Sequence, residues 1–273
     1  MSYKSILLNI NIEGPITSSV RAALDLAQRH DAKLIGHCAA DAPLPIAGPE
    51  GVSLAAEVWQ QMRDDIARRF NEIHAEFERL TAASTKIEWR STLTPPTRAV
   101  IEASRAADII IMTSPETGKS ESAYRVADPA NAVLQAGRPV LILANTVEQV
   151  RDRRIVVAWK DTREARRAVY DALPLLTAAD EVLVVTVAAH TDSWIRESLA
   201  DVVAHLAAHG VKAKSELIEG SDDSVELLAF LDNCHADLIV SGAYGHSRLR
   251  EWAFGGVTRS LLHDARFDRF MSS

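Results

Sequence analysis

Short, unbroken apolar runs alternate along the chain with longer amphipathic stretches. Residues 5–11 and 154–159 each predict a buried strand. A turn and a helical pattern follow each, over 18–30 in the first half and 162–175 in the second. Further strands are expected at 32–38 and 181–187, so that positions 6 and 155, and 38 and 187, share an offset of 149. A longer helix comes next in each half, over 54–80 and 194–209. In the first of these Ala56, Met62, Ile66, Phe70, Ile73 and Phe77 recur at helical spacing. Short strands at 85–90 and 212–218 lead through another helix to a very apolar strand. There Ala107-Asp108-Ile109-Ile110-Ile111 matches Ala236-Asp237-Leu238-Ile239-Val240 at an offset of 129, the change reflecting the longer first-half crossover.

The chain therefore describes one architecture twice. Strands that are apolar throughout, rather than at every second position, belong to parallel sheets covered on both faces. The fold class expected is α/β, with two tandem open parallel-sheet domains carrying helices on both faces. At 273 residues the chain has room for two domains of ordinary size. The boundaries expected are 1–147 and 148–273, with the polar stretch 145–153 as linker.

Composition narrows the function classes. A net charge of −7 and a pI near 5.7 argue against a nucleic-acid binder. Cys38 and Cys234 are too few for a disulfide framework or a cysteine zinc site. No apolar run approaches a membrane span, and residues 1–5 lead into a strand with no secretory pattern, which points to the cytoplasm.

Ligands of open parallel sheets bind beyond the carboxyl ends of the strands. After the strand ending at Val240 the sequence reads Ser241-Gly242-Ala243-Tyr244-Gly245-His246-Ser247-Arg248, and later Gly255-Gly256-Val257-Thr258-Arg259. Four of the 12 glycines thus fall within 15 residues. Glycine lets main-chain amides turn toward a ligand, and Gly255-Gly256 opens a helical pattern whose free amides suit phosphate. Arg248, Arg250 and Arg259 stand close by in sequence. The plainer alternative is that these glycines serve only turns and helix ends.

The series Gly242-x2-Gly245-x9-Gly255 resembles the nucleotide-binding signature of the universal stress protein family, and the likeness extends over nearly the whole chain as a tandem pair. Where that family has Ser or Thr after the third glycine, this chain has Gly256. The resemblance implies a Rossmann-like fold, akin to the adenine nucleotide alpha hydrolases, with ATP or a related adenine nucleotide as ligand, with or without Mg. It implies a regulatory role in stress survival, an intramolecular pseudo-dimer and a homodimer. The nucleotide site it implies comprises Ala158, Trp159, Lys160, Asp161, Val187, Gly242, Gly245, His246, Gly255, Gly256, Val257 and Thr258. Asp161 stands as a ribose acceptor or as a helix cap paired with Glu164, and Lys160 as a phosphate ligand or a solvated turn residue. Trp159 reads as core before adenine stacking. No catalytic residue and no metal site is assigned. His246 reads as a loop residue before an acid–base, and the pair His205 and His209 lacks a third ligand. Slow ATP hydrolysis or phosphate transfer, and a ligand-free interaction module, are the alternative functions.

The first half departs from the signature. Thr113 stands for Gly242, Glu116 for Gly245, Val126 for Gly255 and Ala127 for Gly256. Gly118-Lys119-Ser120 lacks the earlier glycine of a P-loop. The first half reads as a degenerate copy. A second departure is Phe267-Asp268-Arg269-Phe270-Met271, where two charges interrupt the expected last strand and predict a weak or rearranged edge.

Overall fold

A computed structural model describes residues 2–44, 52–114, 122–144, 148–243 and 256–273. Two compact units emerge, one formed by 3–136 with 146–149 and the other by 137–145 with 150–273. In the first unit β1 (Ser5–Ile10), β2 (Lys33–Ala40), β3 (Ile87–Leu93) and β4 (Ile109–Thr113) make a parallel sheet in the order β3-β2-β1-β4. Its helices are α1 (Thr17–His30), α2 (Val52–Thr81), α3 (Pro96–Ala103) and α4 (Pro129–Gln135). The second unit has β5 (Val140–Leu143), β6 (Arg154–Ala158), β7 (Glu181–Ala188), β8 (Ala213–Glu219), β9 (Leu238–Gly242) and β10 (Asp268–Ser272). Their order is β5-β10-β9-β6-β7-β8, with α5 (Arg163–Leu176), α6 (Ser193–Ala208), α7 (Asp223–Cys234) and α8 (Gly256–His263).

Consecutive residues of a strand point to opposite faces. Ile6, Leu7 and Leu8 are all fully buried, as are Ile155 and Val156, so both faces of each central strand are covered. This is the tandem α/β fold expected from the unbroken apolar runs. In α2 the buried stripe is Ile66, Ile73 and Phe77, while Met62 and Phe70 are half-buried and Ala56 is exposed. Phe77 presses its ring where Gly36 has no side chain; a Cβ there would sit 2.7 Å from the ring.

The repeat is one residue less regular than the sequence suggests. Ser5 pairs with Lys33 in the first unit, and its equivalent Arg154 pairs with Glu181 in the second. The offset is therefore 148 at the second strand, which makes Cys38 the counterpart of Thr186 and Ala39 that of Val187.

The last strand differs from expectation. β10 is neither weak nor displaced: it runs parallel to β9 and antiparallel to β5, and all five of its residues are buried. Its charges are accommodated rather than excluded. Asp268 Oδ1 accepts a hydrogen bond from the Ala144 main-chain nitrogen at 2.7 Å, and Arg269 donates to main-chain carbonyls. Burial raises the Asp268 carboxyl to about 6, against the pull of the Ala144 amide and of Arg269 and Arg151. A carboxyl raised in the folded state contributes stability at low pH that is lost as pH climbs through its folded value. Moving from pH 7 to pH 5 should therefore stabilise the second unit by about 1 kcal/mol through this group. Asp268→Asn, which keeps the acceptor for Ala144, should abolish that increment. Calorimetric melting of both proteins from pH 5 to pH 8 checks it; an unchanged wild-type-minus-variant difference across the range would refute it.

Candidate functional site

The carboxyl ends of β6 and β9 lie side by side, Ala158 pairing with Ser241. Only Trp159–Thr162 links β6 to α5. Thr162, not Asp161, caps that helix: it has extended backbone angles and its Oγ1 accepts from the Ala165 nitrogen at 3.2 Å. Asp161 instead accepts from Arg166 Nη1 at 2.6 Å on the surface. Glu164 is buried and bonded to Arg163. Burial pushes its carboxyl up, but the bonds from Arg163, its own amide and Thr162 outweigh that and hold it below the ordinary range.

This short link brings the first turn of α5 against the end of β9. A Cβ on Gly242 would lie 2.5 Å from the Ala165 nitrogen and 2.6 Å from the Glu164 carbonyl carbon. The close backbone approach alone demands glycine at this position.

Trp159 is buried, and its indole donates to Ser198 Oγ on α6 at 2.9 Å. Its main-chain nitrogen donates to Val185, and its carbonyl accepts from the Thr186 hydroxyl. Lys160 is exposed and lies 3.6 Å from Asp223 at the start of α7, a solvated pair worth under about 1 kcal/mol. The next residue, Ser224, faces Gly256, whose added Cβ would meet the Ser224 hydroxyl at 3.1 Å. Lys160 and the first residue of α8 are thus joined through residues 223 and 224. Gly256 is exposed, Val257 half-buried and Thr258 buried. Val187 is half-buried on β7 and pairs with Ile218. Gly245, His246 and Gly255 lie outside the described residues.

The structure therefore brings Ala158, Lys160, Asp161, Gly242 and Gly256 to one end of the second sheet and turns Trp159 inward. Sequence reasoning missed Ser198, Asp223 and Ser224. The run Ser221-Asp222-Asp223-Ser224 signals a helix start, and Asp222 does cap α7 through the Ser224 and Val225 nitrogens. Nothing in that run signals its meeting with Lys160 and Gly256.

At the same strand ends of the first unit, side chains bond to one another. Asn9 Nδ2 donates to Asn11 Oδ1 at 3.3 Å, and Asn11 Nδ2 donates to Thr113 Oγ1 at 3.2 Å. Here the link from β1 to α1 is six residues long, and Thr113 is accommodated where the second unit requires Gly242. His37 is buried beside Asn9 and Arg90 in register, and Cys38 next to it is fully buried. Glu116 and residues 118–120 fall outside the described residues. At the end of α6 the ring of His205 meets that of His209, the residue after the helix, edge to face at 4.7 Å.

Residues 152–268 match the family model described as Universal stress protein family. This part of the chain is a universal stress protein domain. Among solved structures, a universal stress protein from Archaeoglobus fulgidus DSM 4304 aligns over 98% of this chain and 96% of its own, with 17% identity and a TM-score of 0.65. A putative universal stress protein from Pseudomonas aeruginosa UCBPP-PA14 aligns over 99% and 93%, with 14% identity and a TM-score of 0.59. A functionally unknown protein from Pseudomonas aeruginosa PAO1 aligns over 99% and 92%, with 13% identity and the same TM-score of 0.59. At these identities the likeness is one of fold, and it runs through both halves. Comparison with curated protein sequences gives no match. Among the described residues no helix is long and apolar enough to cross a membrane.

Proposed function

We propose that the universal stress protein domain of the second unit binds an adenine nucleotide, ATP or a close relative, and that this binding serves regulation in stress rather than a defined reaction. The observation that carries the reading is the glycine series Gly242, Gly245, Gly255 and Gly256 inside that domain. It joins the end of β9 to the start of α8. Free main-chain amides at a helix start favour phosphate. Lys160, exposed at the tip of the β6–α5 link, adds a cation that an anionic ligand can draw away from Asp223. In the first unit Asn9, Asn11 and Thr113 are bonded to one another where the second unit has Ala158, Lys160 and Gly242, which supports one nucleotide per chain.

Mass spectrometry of what the denatured protein releases, and titration calorimetry with ATP in the presence and absence of Mg2+, test this. One site per chain is expected. Gly255→Val should weaken binding at least tenfold, or about 1.4 kcal/mol, by placing a side chain in the phosphate path. A wild-type protein that releases no nucleotide and gives no heat with ATP would overturn the reading and leave the interaction module in its place.

A further inference from the structure

Arg269 is a charged residue with no exposed surface, the second residue of β10. Its guanidinium reaches three main-chain carbonyls. Nη1 donates to Leu261 at 3.2 Å and to Asp264, and Nη2 donates to Leu143 at 3.4 Å. Leu261 lies in the last turn of α8, Asp264 directly follows that helix, and Leu143 ends β5. Burial lowers the Arg269 pKa to about 10, so the group is still a cation at neutral pH, with Asp268 and Asp264 as its carboxylate neighbours.

A helix leaves its last carbonyls without partners inside the helix. An eight-residue helix such as α8 is also too short to be stable by propensity alone. Arg269 caps the α8 end of the unit from within. Its flat fork of donors spans carbonyls on two separate elements, which the single ammonium of lysine cannot do. The buried Leu261 and Leu262 seat the helix on the sheet, and the guanidinium pins its last turn to β5. The opposite end of the same short helix is Gly256, where the glycine series delivers the chain.

We propose that Arg269 is a positioning residue for the nucleotide site: by tying the carboxyl end of α8 to β5, it fixes where the amino end presents its amides. The proposal rests on the nucleotide reading for its functional half only; the tether itself is independent of any ligand.

Hydrogen exchange of the full chain, paired with ATP titration, separates these parts. In Arg269→Met the amides of 257–263 should exchange at least tenfold faster than in the wild type, while those of β6 and β7 keep their wild-type rates. The dissociation constant for ATP should rise about fivefold or more. Arg269→Lys, which keeps the charge but reaches fewer carbonyls, should give a smaller rise in the same amides and covers the case in which the methionine variant does not fold. Unchanged exchange in α8 would overturn the tether, and so would an equal acceleration throughout β6, β7 and α8 in both variants, because that is a loss of general stability. Faster α8 exchange with an unaltered ATP affinity would overturn the positioning role. A wild-type protein that does not bind ATP would sink the nucleotide reading and the positioning role together, with the exchange data still deciding the tether.

Discussion

Gly242→Val should lower the stability of the second unit by about 3 kcal/mol. The cause is contact with main chain, not with a side chain that can swing away. The new Cβ would lie 2.5–2.9 Å from atoms of Glu164 and Ala165 in the first turn of α5. That turn is held by the Thr162 cap and by a four-residue link to β6, so it cannot retreat without breaking both. Calorimetry of the full chain should show the second unit melting about 6–12 °C lower. The reciprocal change, Thr113→Gly at the same place in the first unit, should cost only about 1 kcal/mol, from added chain freedom and a lost acceptor for Asn11. Similar losses for the two variants would mean that α5 does not press on β9.

The first unit should be the acid-sensitive one. His37 is buried at 3% exposure, and burial, with the nearby Arg90 cation adding to it, lowers its pKa to about 4. A histidine whose folded pKa lies below the ordinary value near 6.5 favours the folded state above that value. The contribution then drains away as pH falls toward the folded value. Between pH 7 and pH 5 the loss should be about 2 kcal/mol. His37→Leu should remove that loss. Denaturant titrations of both proteins at pH 5, 6 and 7 make the comparison; a His37→Leu variant that weakens in acid as steeply as the wild type would refute it. The expected Asp268 response has the opposite sign, so acidification should loosen one unit while tightening the other.

The alternation of apolar runs and amphipathic stretches places β1 to β4, β6 to β9, α1, α2, α5 and α6 within a few residues, and implies α3 and α7 without bounds. That follows from burial on both faces, which leaves an unbroken apolar signature. Three features escaped it. The slip to 148 at the second strand is a matter of pairing register, to which neighbouring Val, Leu and Ile residues give no clue. The identity of the α5 cap is a second, because Asp161 and Thr162 are both competent caps by residue type and only the backbone conformation singles out Thr162. The two charges in β10 looked like a defect because their partners, Ala144, Leu143 and Leu261, offer main-chain atoms, and main-chain atoms leave no mark in a sequence. For the candidate site, the glycine series and Lys160 were visible from residue type and spacing. The meeting of Lys160 with Asp223, and of Ser224 with Gly256, needed chain separated by more than thirty positions to come together.

The duplicated sequence and the physical module are out of step by one strand. β5 is written at the end of the first repeat, yet it completes the sheet of the second unit against β10. An expression fragment cut at the midpoint of the repeat, between 147 and 148, would strip Phe270 and Met271 of their antiparallel neighbour and expose a sticky edge to other molecules. A fragment begun at Gly137 keeps Leu141 and Val140 opposite Phe270 and Met271.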